Sequence, residues 1–266
     1  MAEGAPLLRE YVPKAHRGFE SHTLHQIGKV MENKHKVTTK KSPAVKEPAA
    51  KVVSAEQRRY LRLHEDFVTK GYAVARGIIE PQTRRVLAEQ FRMHRRCSHF
   101  YRNIPLENVR AFEDGQVPYS FPHYSFYAFE ALMLELQPAM ETVIGKKLHP
   151  CYTYARIMYA GADMKVHTDR PSCQYSTTAC IDYDTKDPYP IYIKNYAGKT
   201  SAVTMEPGDM LIYHGTDLEH WREQYQGREH IQAFLHYVDA RGKYKDYKYD
   251  HRPMLGLAAD TKIGQK

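Results

Sequence analysis

The spacing of apolar residues changes along this chain, and the change divides it in two. From Ser54 onward they recur at helical spacing, with Tyr60, Leu61, Leu63, His64, Phe67 and Val68 on one stripe. Ser54 and Gln57, three residues apart, make a capping box at the start of that helix, and Gly71 supplies its stop. Residues 72–79 (YAVARGII) then predict a short strand. Pro81 suits the first turn of a second helix, whose apolar side carries Val86, Leu87 and Phe91. A third helix is predicted from about Phe126 to Ile144, with Pro138 expected to kink or split it and Gly145 to end it. From Tyr152 the texture becomes that of short strands rich in Tyr, Thr, Val and Ile, separated by Gly, Pro and Asp. The runs are YTYARIMY (152–159), MKVHTD (164–169), QYSTTACIDYD (174–184), YPIYIKNY (189–196), TSAVTMEPGDMLIYHG (200–215) and EHIQAFLHYVD (229–239). Six or more strands without intervening helices predict an antiparallel sandwich or barrel. The expected fold class is α+β: a jelly roll with the N-terminal helices packed on one sheet.

Charge refines this plan. The 266 residues carry a formal charge of +8, with 39 Lys and Arg against 31 Asp and Glu. Ten of those basic and five of those acidic residues lie in 1–54, so that segment holds +5 and residues 55–266 only +3. The stretch 30–53 mixes Lys, Thr, Pro and Ala without sustained periodicity, a composition that cannot offset the entropy of ordering. The organisation expected is therefore a basic, flexible extension (1–54), a folded domain (55–240, its β core about 152–239) and a C-terminal tail (241–266). The extension reads either as a solubilising segment or as a docking arm for an acidic partner. The tail KYKDYKYDHRP (243–253) reads as a mixed-charge surface segment, where nucleic-acid contact is conceivable but not favoured. No apolar run reaches 18 residues, which predicts no membrane span, and the first residues show no apolar signal segment. Cys97, Cys151, Cys173 and Cys180 lack close pairing, which fits a reducing, cytoplasmic setting, with Cys173 and Cys180 expected as small core residues. Hydrolase, Rossmann and P-loop glycine motifs are absent from the sequence.

The candidate chemistry lies in His167, Asp169 and His220. His167 and Asp169 are i,i+2 on a predicted strand, so their side chains share a face, and His220 heads another strand. Two imidazoles and one carboxylate on one side of a metal form the facial triad of non-haem Fe(II) oxygenases. With 15 His and 13 Asp, chance alone supplies about one H-x-D pattern. His64-Glu65-Asp66 is such a decoy, on a helix where i,i+2 side chains diverge.

Context separates the two. Residues 154–173 give a Tyr/Arg-rich strand, a Gly turn and then H-x-D-R-P-S-C; Pro207-Gly208-Asp209 follows, with His220 about ten residues further on. This series, spanning roughly Gly71 to Asp239, resembles the 2-oxoglutarate/Fe(II)-dependent oxygenases of the prolyl-4-hydroxylase-like group. The resemblance implies a double-stranded β-helix (a cupin-like jelly roll), Fe(II) held by His167, Asp169 and His220, and 2-oxoglutarate and O₂ as co-substrates. It further implies oxidative decarboxylation of 2-oxoglutarate to succinate and CO₂, coupled to hydroxylation of an unactivated C–H in a small molecule or a protein side chain. Because Asp169 is present, hydroxylation is favoured over halogenation. The family places an Arg or Lys for the distal carboxylate nine to eleven residues after the last His, and here the chain departs from the pattern. Arg228 stands eight residues after His220, the tenth position is His230, and Arg222, two residues on, shares a strand face with His220. Arg222 and Arg228 both remain candidates, with Tyr154 as a possible hydroxyl partner of the co-substrate. Arg156, on the face of Tyr154, and Arg170, beside a ligand, are candidate substrate contacts. Substrate-facing loops are expected within Arg95–Pro122, where Tyr101, Phe112, Tyr119, Phe121 and His123 stand out. The alternatives are a nucleic-acid demethylase on the same fold and a jelly-roll module that binds metal without turnover.

Overall fold

The computed structural model describes residues 54–184 and 189–261. The basic extension expected over 1–54 therefore lies, apart from Ser54, outside the described residues. The chain begins with helix α1 (Ala55–Lys70), strand β1 (Tyr72–Ala75), helix α2 (Pro81–Tyr101), β2 (Ser120–Tyr124) and helix α3 (Tyr127–Ile144). The strands β3 (Leu148–Met158), β4 (Met164–His167), β5 (Tyr175–Tyr183), β6 (Ile191–Lys194), β7 (Thr200–Val203), β8 (Met210–His214), β9 (His220–Arg222) and β10 (His230–Asp239) follow. They form two antiparallel sheets, six strands in the order β1-β8-β5-β10-β3-β2 and four in the order β4-β9-β6-β7. No described helix is long and apolar enough to cross a membrane.

Local chemistry sets the helix limits. Ser54 accepts from the Gln57 amide at 3.1 Å while the Gln57 side chain accepts from Ser54 N–H at 2.8 Å, closing the capping box. Gly71 and Gly145 end α1 and α3 in the left-handed conformation. Pro138 does not split α3, which continues through it to Ile144. The bond that Pro138 forfeits would have reached the carbonyl of Leu134, a residue on the exposed side of the helix, where an orphaned carbonyl costs least. The first strand is shorter than expected. It ends at Ala75 because Gly77 turns left-handed and gives its N–H to Asp209 Oδ1 at 2.7 Å. Asp209 Oδ2 accepts from Arg76 at 2.6 Å and from the Glu206 amide at 2.9 Å, so this buried carboxylate ties β1 to the turn before β8.

The helices pack on the six-stranded sheet, α3 against β3 and β10 and α2 against β5. Along β10 the odd positions turn to the helices: Tyr237 donates its hydroxyl to the Met133 carbonyl of α3 at 2.6 Å. The even positions Phe234 and His236 turn to the interior between the sheets. Both faces are covered, which is why β10 is buried over nine consecutive residues.

The tail has the surface character expected over 243–253, with one buried residue in it, Arg252. Residues 245–251 lie against β3 and β10 as a 3₁₀ turn interrupted by non-helical backbone at Lys248, Tyr249 and Asp250. Arg252 Nη2 pairs with the buried Glu130 of α3 at 2.7 Å and with the Cys151 carbonyl at 3.0 Å. Tyr249, Asp250 and His251 all take positive φ (55°, 55° and 63°), a strained run that delivers Asp250 inward.

A histidine pair gives the helical layer a pH dependence. His94 Nε2 of α2 lies 2.9 Å from His123 Nδ1 of β2, among the rings of Phe91, Phe121 and Phe126. Burial, and secondarily His94, pulls His123 down to about 4. The unfolded chain thus binds a proton that the folded chain refuses between about pH 6.5 and 4. Stability from this pair is complete above pH 6.5 and lost as pH falls to 4. Melting temperatures measured across that window should decline, and His123→Phe should flatten the decline.

Candidate metal centre and its cavity

Strand register brings the three ligand candidates together. His167 ends β4 directly opposite His220, which begins β9, and the two rings lie 4.3 Å apart by centroid. Asp169 Oδ1 is 3.8 Å from His167 Nε2 and 3.7 Å from His220 Nε2. One donor atom from each residue falls within 4.8 Å of the others. Each imidazole is held by its other nitrogen: His167 Nδ1 donates to the Lys165 carbonyl at 2.8 Å, and His220 Nδ1 to that of Leu218 at 3.0 Å. That fixes the tautomer and leaves both Nε2 lone pairs facing Asp169. Burial also holds His220 below the usual imidazole range, the neutral form that ligates a metal.

Asp169 is oriented with equal care. Ser176 donates to Oδ2 at 2.8 Å and accepts from His236 Nδ1 at 2.9 Å, and the Asp169 amide reaches the Gly215 carbonyl at 2.8 Å. A Cβ on Gly215 would collide with Asp169 Oδ2 and the Cys173 carbonyl, and would stand 2.8 Å from Ser176 Oγ. Gly215→Ala should therefore displace the carboxylate. We expect a loss of about 1–3 kcal/mol in stability and at least a tenfold loss of divalent-metal affinity, read by melting and by metal titration.

Asp169, Cys173 and His236 form a second donor trio. It is the poorer one, because burial pushes the Cys173 thiol up to about 12 and His236 Nδ1 is engaged by Ser176.

The cavity beside the triad measures about 500 Å³. Its inner wall includes Ile191, Tyr213 and Phe234. Two paired arginines line it. Arg156, buried on β3, donates to Asp114 Oδ2 at 2.8 Å and to Gln116 Oε1 at 2.7 Å, and Tyr154 donates to the same Asp114 oxygen at 2.7 Å. Although burial opposes it, Arg156 keeps Asp114 below the usual carboxylate range. Gln116 also places Nε2 3.2 Å from His167 Nε2. Arg170 stacks 4.5 Å over Tyr152 and forks onto Asp250 at 3.0 and 2.7 Å, where Tyr124 adds its hydroxyl at 2.9 Å.

Arg222 and Arg228 part company. Arg228 is 89% exposed and spends its Nε on Asp184 at 2.7 Å, away from the cavity, because β10 starts only at His230 and strand parity does not reach back to it. Arg222 is buried on the face of His220. Its guanidinium stacks 4.9 Å over the Tyr189 ring and Nη1 donates to the Tyr189 carbonyl at 2.8 Å, whereas Nε and Nη2, the side-on fork, have no hydrogen-bond partner among the described residues; Arg222 itself is not among the residues that line the cavity. Burial drags its affinity for the proton below the ordinary guanidinium range. His230, at the position where the family pattern has a cation, is buried and held neutral by burial and by Arg222 nearby.

Within Arg95–Pro122, the residues that reach the cavity are Asp114, Gly115 and Gln116. The aromatic residues singled out there do other work: Tyr101 is 83% exposed, and Phe112 and Phe121 pack on each other and on His99. Ser176, Asp114 and Asp250 carry no signal in the sequence. Gly215 had one, a glycine directly after a strand at the end of 205–215.

No protein-family model matches the chain, and no curated protein matches it by sequence. Solved structures do. A Pseudomonas putida prolyl-4-hydroxylase superposes with a TM-score of 0.52 at 16% identity, over 69% of this chain and 100% of its own. AviO1 from Streptomyces viridochromogenes gives 0.54 at 14%, over 69% and 96%. The epimerase SnoN from nogalamycin biosynthesis, solved with Fe3+, alpha ketoglutarate and nogalamycin RO, gives 0.53 at 12%, over 69% and 84%. Two packed antiparallel sheets with the donor trio between facing strands, together with these likenesses, establish that the chain has the double-stranded β-helix fold shared by the 2-oxoglutarate/Fe(II) oxygenases.

Proposed function

We propose that the protein is an Fe(II)- and 2-oxoglutarate-dependent dioxygenase that hydroxylates an unactivated C–H of a small molecule or a protein side chain. The observation that carries this reading is the unpartnered fork of Arg222. A buried guanidinium with its side-on edge free is costly unless an anion meets it, and that edge matches a carboxylate bidentately. Arg222 lies two residues beyond His220 on one strand face, about 7 Å along the strand, a span that suits the two ends of a five-carbon diacid. His167, Asp169 and His220 would hold the iron. Iron and 2-oxoglutarate, when bound, supply the oxidising chemistry, with release of succinate and CO₂.

The chain's own residues do the rest. Ser176 and the two carbonyls aim the ligands, Tyr213 and Phe234 exclude water, and Arg156 and Arg170 shape the substrate side. Both of these arginines are already neutralised, by Asp114 and Asp250, which supports a small-molecule or protein substrate over a polyanionic nucleic acid. The structural neighbours also include an epimerase, so this fold supports outcomes other than hydroxylation in other proteins. The test is succinate formation from 2-oxoglutarate with anaerobically loaded Fe(II) on admission of air, against His167→Ala. Iron binding without any succinate, coupled or uncoupled, across a broad substrate screen would leave a metal-binding module instead.

A further inference from the structure

Helix α2 has two apolar sides. Leu87, Ala88, Phe91 and His99 face the protein's own core. On the opposite side, Val86, Gln90, Met93, Cys97 and Phe100 form a second row at spacings of four, three, four and three residues, the repeat of helices that pack along their length. This row is open to solvent: Val86 is 53%, Met93 49% and Phe100 80% exposed, and Gln90 and Cys97 are exposed as well. Surface apolar residues scattered singly need no explanation, but Met93, Cys97 and Phe100 in succession along one face, with Val86 beyond the polar Gln90, do.

The flanking charges indicate what covers it. Glu89 and Arg96 border the row on the same edge, one turn apart from its middle in opposite directions. Glu89 is 60% exposed and meets Arg92 on one side only. A second copy of α2 laid antiparallel, with a two-fold axis crossing near Arg92, sets each Glu89 beside Arg96 of the other copy and each Val86 against Cys97. The edge is thus complementary to itself in one orientation, as an interface between identical surfaces must be. We propose that this face of α2 is the contact through which two copies of the chain associate antiparallel. At 21 residues the helix is about 32 Å long, so the contact is at the small end of specific interfaces and the dimer is reversible.

Sedimentation velocity of the full chain from about 1 to 100 µM tests this, a range chosen for a weak interface. The wild type should shift from monomer to dimer with concentration. Phe100→Glu should stay monomeric. Arg96→Glu should move the midpoint at least about tenfold higher, and the charge swap E89R/R96E should restore it. Both sites are on the exposed side, and thermal melts of each variant separate lost association from lost folding. Val86→Cys should oxidise to a covalent dimer that disappears when Cys97→Ser is added. A wild type that is monomeric throughout, a charge swap that does not restore association, or cross-linking through Cys97 alone as efficient as with Val86→Cys would each overturn the proposal.

Discussion

Asp169→Ala should abolish Fe(II)-dependent succinate formation and weaken iron binding by more than about 100-fold, since losing merely a supporting hydrogen bond around such a ligand already costs about 10–100-fold. The side chain sits 3.7 and 3.8 Å from the two imidazoles and supplies the only negative charge among the three candidate ligands. Asp169→Asn separates charge from shape. It preserves an acceptor for Ser176 but removes the anion, and should lose nearly as much activity with little change in melting temperature. The competing donor trio gives the opposite pattern. Were the metal held by Asp169, Cys173 and His236, then Cys173→Ala would destroy binding while His167→Ala and His220→Ala spared it. Asp169→Ala with turnover within tenfold of wild type would exclude both arrangements.

Arg222→Leu should raise the KM for 2-oxoglutarate by about 100-fold or more, the cost of removing a buried charge that receives a carboxylate. A second effect runs the other way. Without co-substrate, Arg222 is a buried cation with two orphaned donors, and replacing such a group with an apolar one of similar size is often neutral or stabilising. The variant should thus melt no lower than wild type in buffer, yet lose the upward shift that 2-oxoglutarate gives the wild type. A residue that merely braced the barrel would show the reverse, a lower melting temperature with ligand stabilisation intact. Arg228→Ala should change neither quantity, its guanidinium being at the surface on Asp184. A KM within twofold of wild type in Arg222→Leu would remove Arg222 from the co-substrate site.

The parts of the site legible in the sequence are those governed by strand parity. His167 with Asp169, and His220 with Arg222, are i,i+2 pairs, and alternation of side chains along a strand places each pair on one face. Parity fails for Arg228 because it lies before the strand begins. The helix limits at Ser54, Gly71, Pro81 and Gly145 were legible because capping is local chemistry. That Pro138 leaves α3 unsplit was not legible, because its effect depends on which way the orphaned carbonyl faces, a property of the packed helix and not of the residue. Asp114 and Asp250 were out of reach for a further reason: they meet Arg156 and Arg170 by the return of distant chain, and no periodicity encodes such a return.

That return has a consequence for how the site responds to salt. No residue of 245–251 is buried, so Asp250 is held in place largely by the Arg170 fork and by the Tyr124 hydroxyl. The Arg170 side chain is half exposed, and added salt screens such partly exposed pairs. High ionic strength should therefore loosen Asp250 and leave Arg170, which lines the cavity, as a net positive charge on the substrate side.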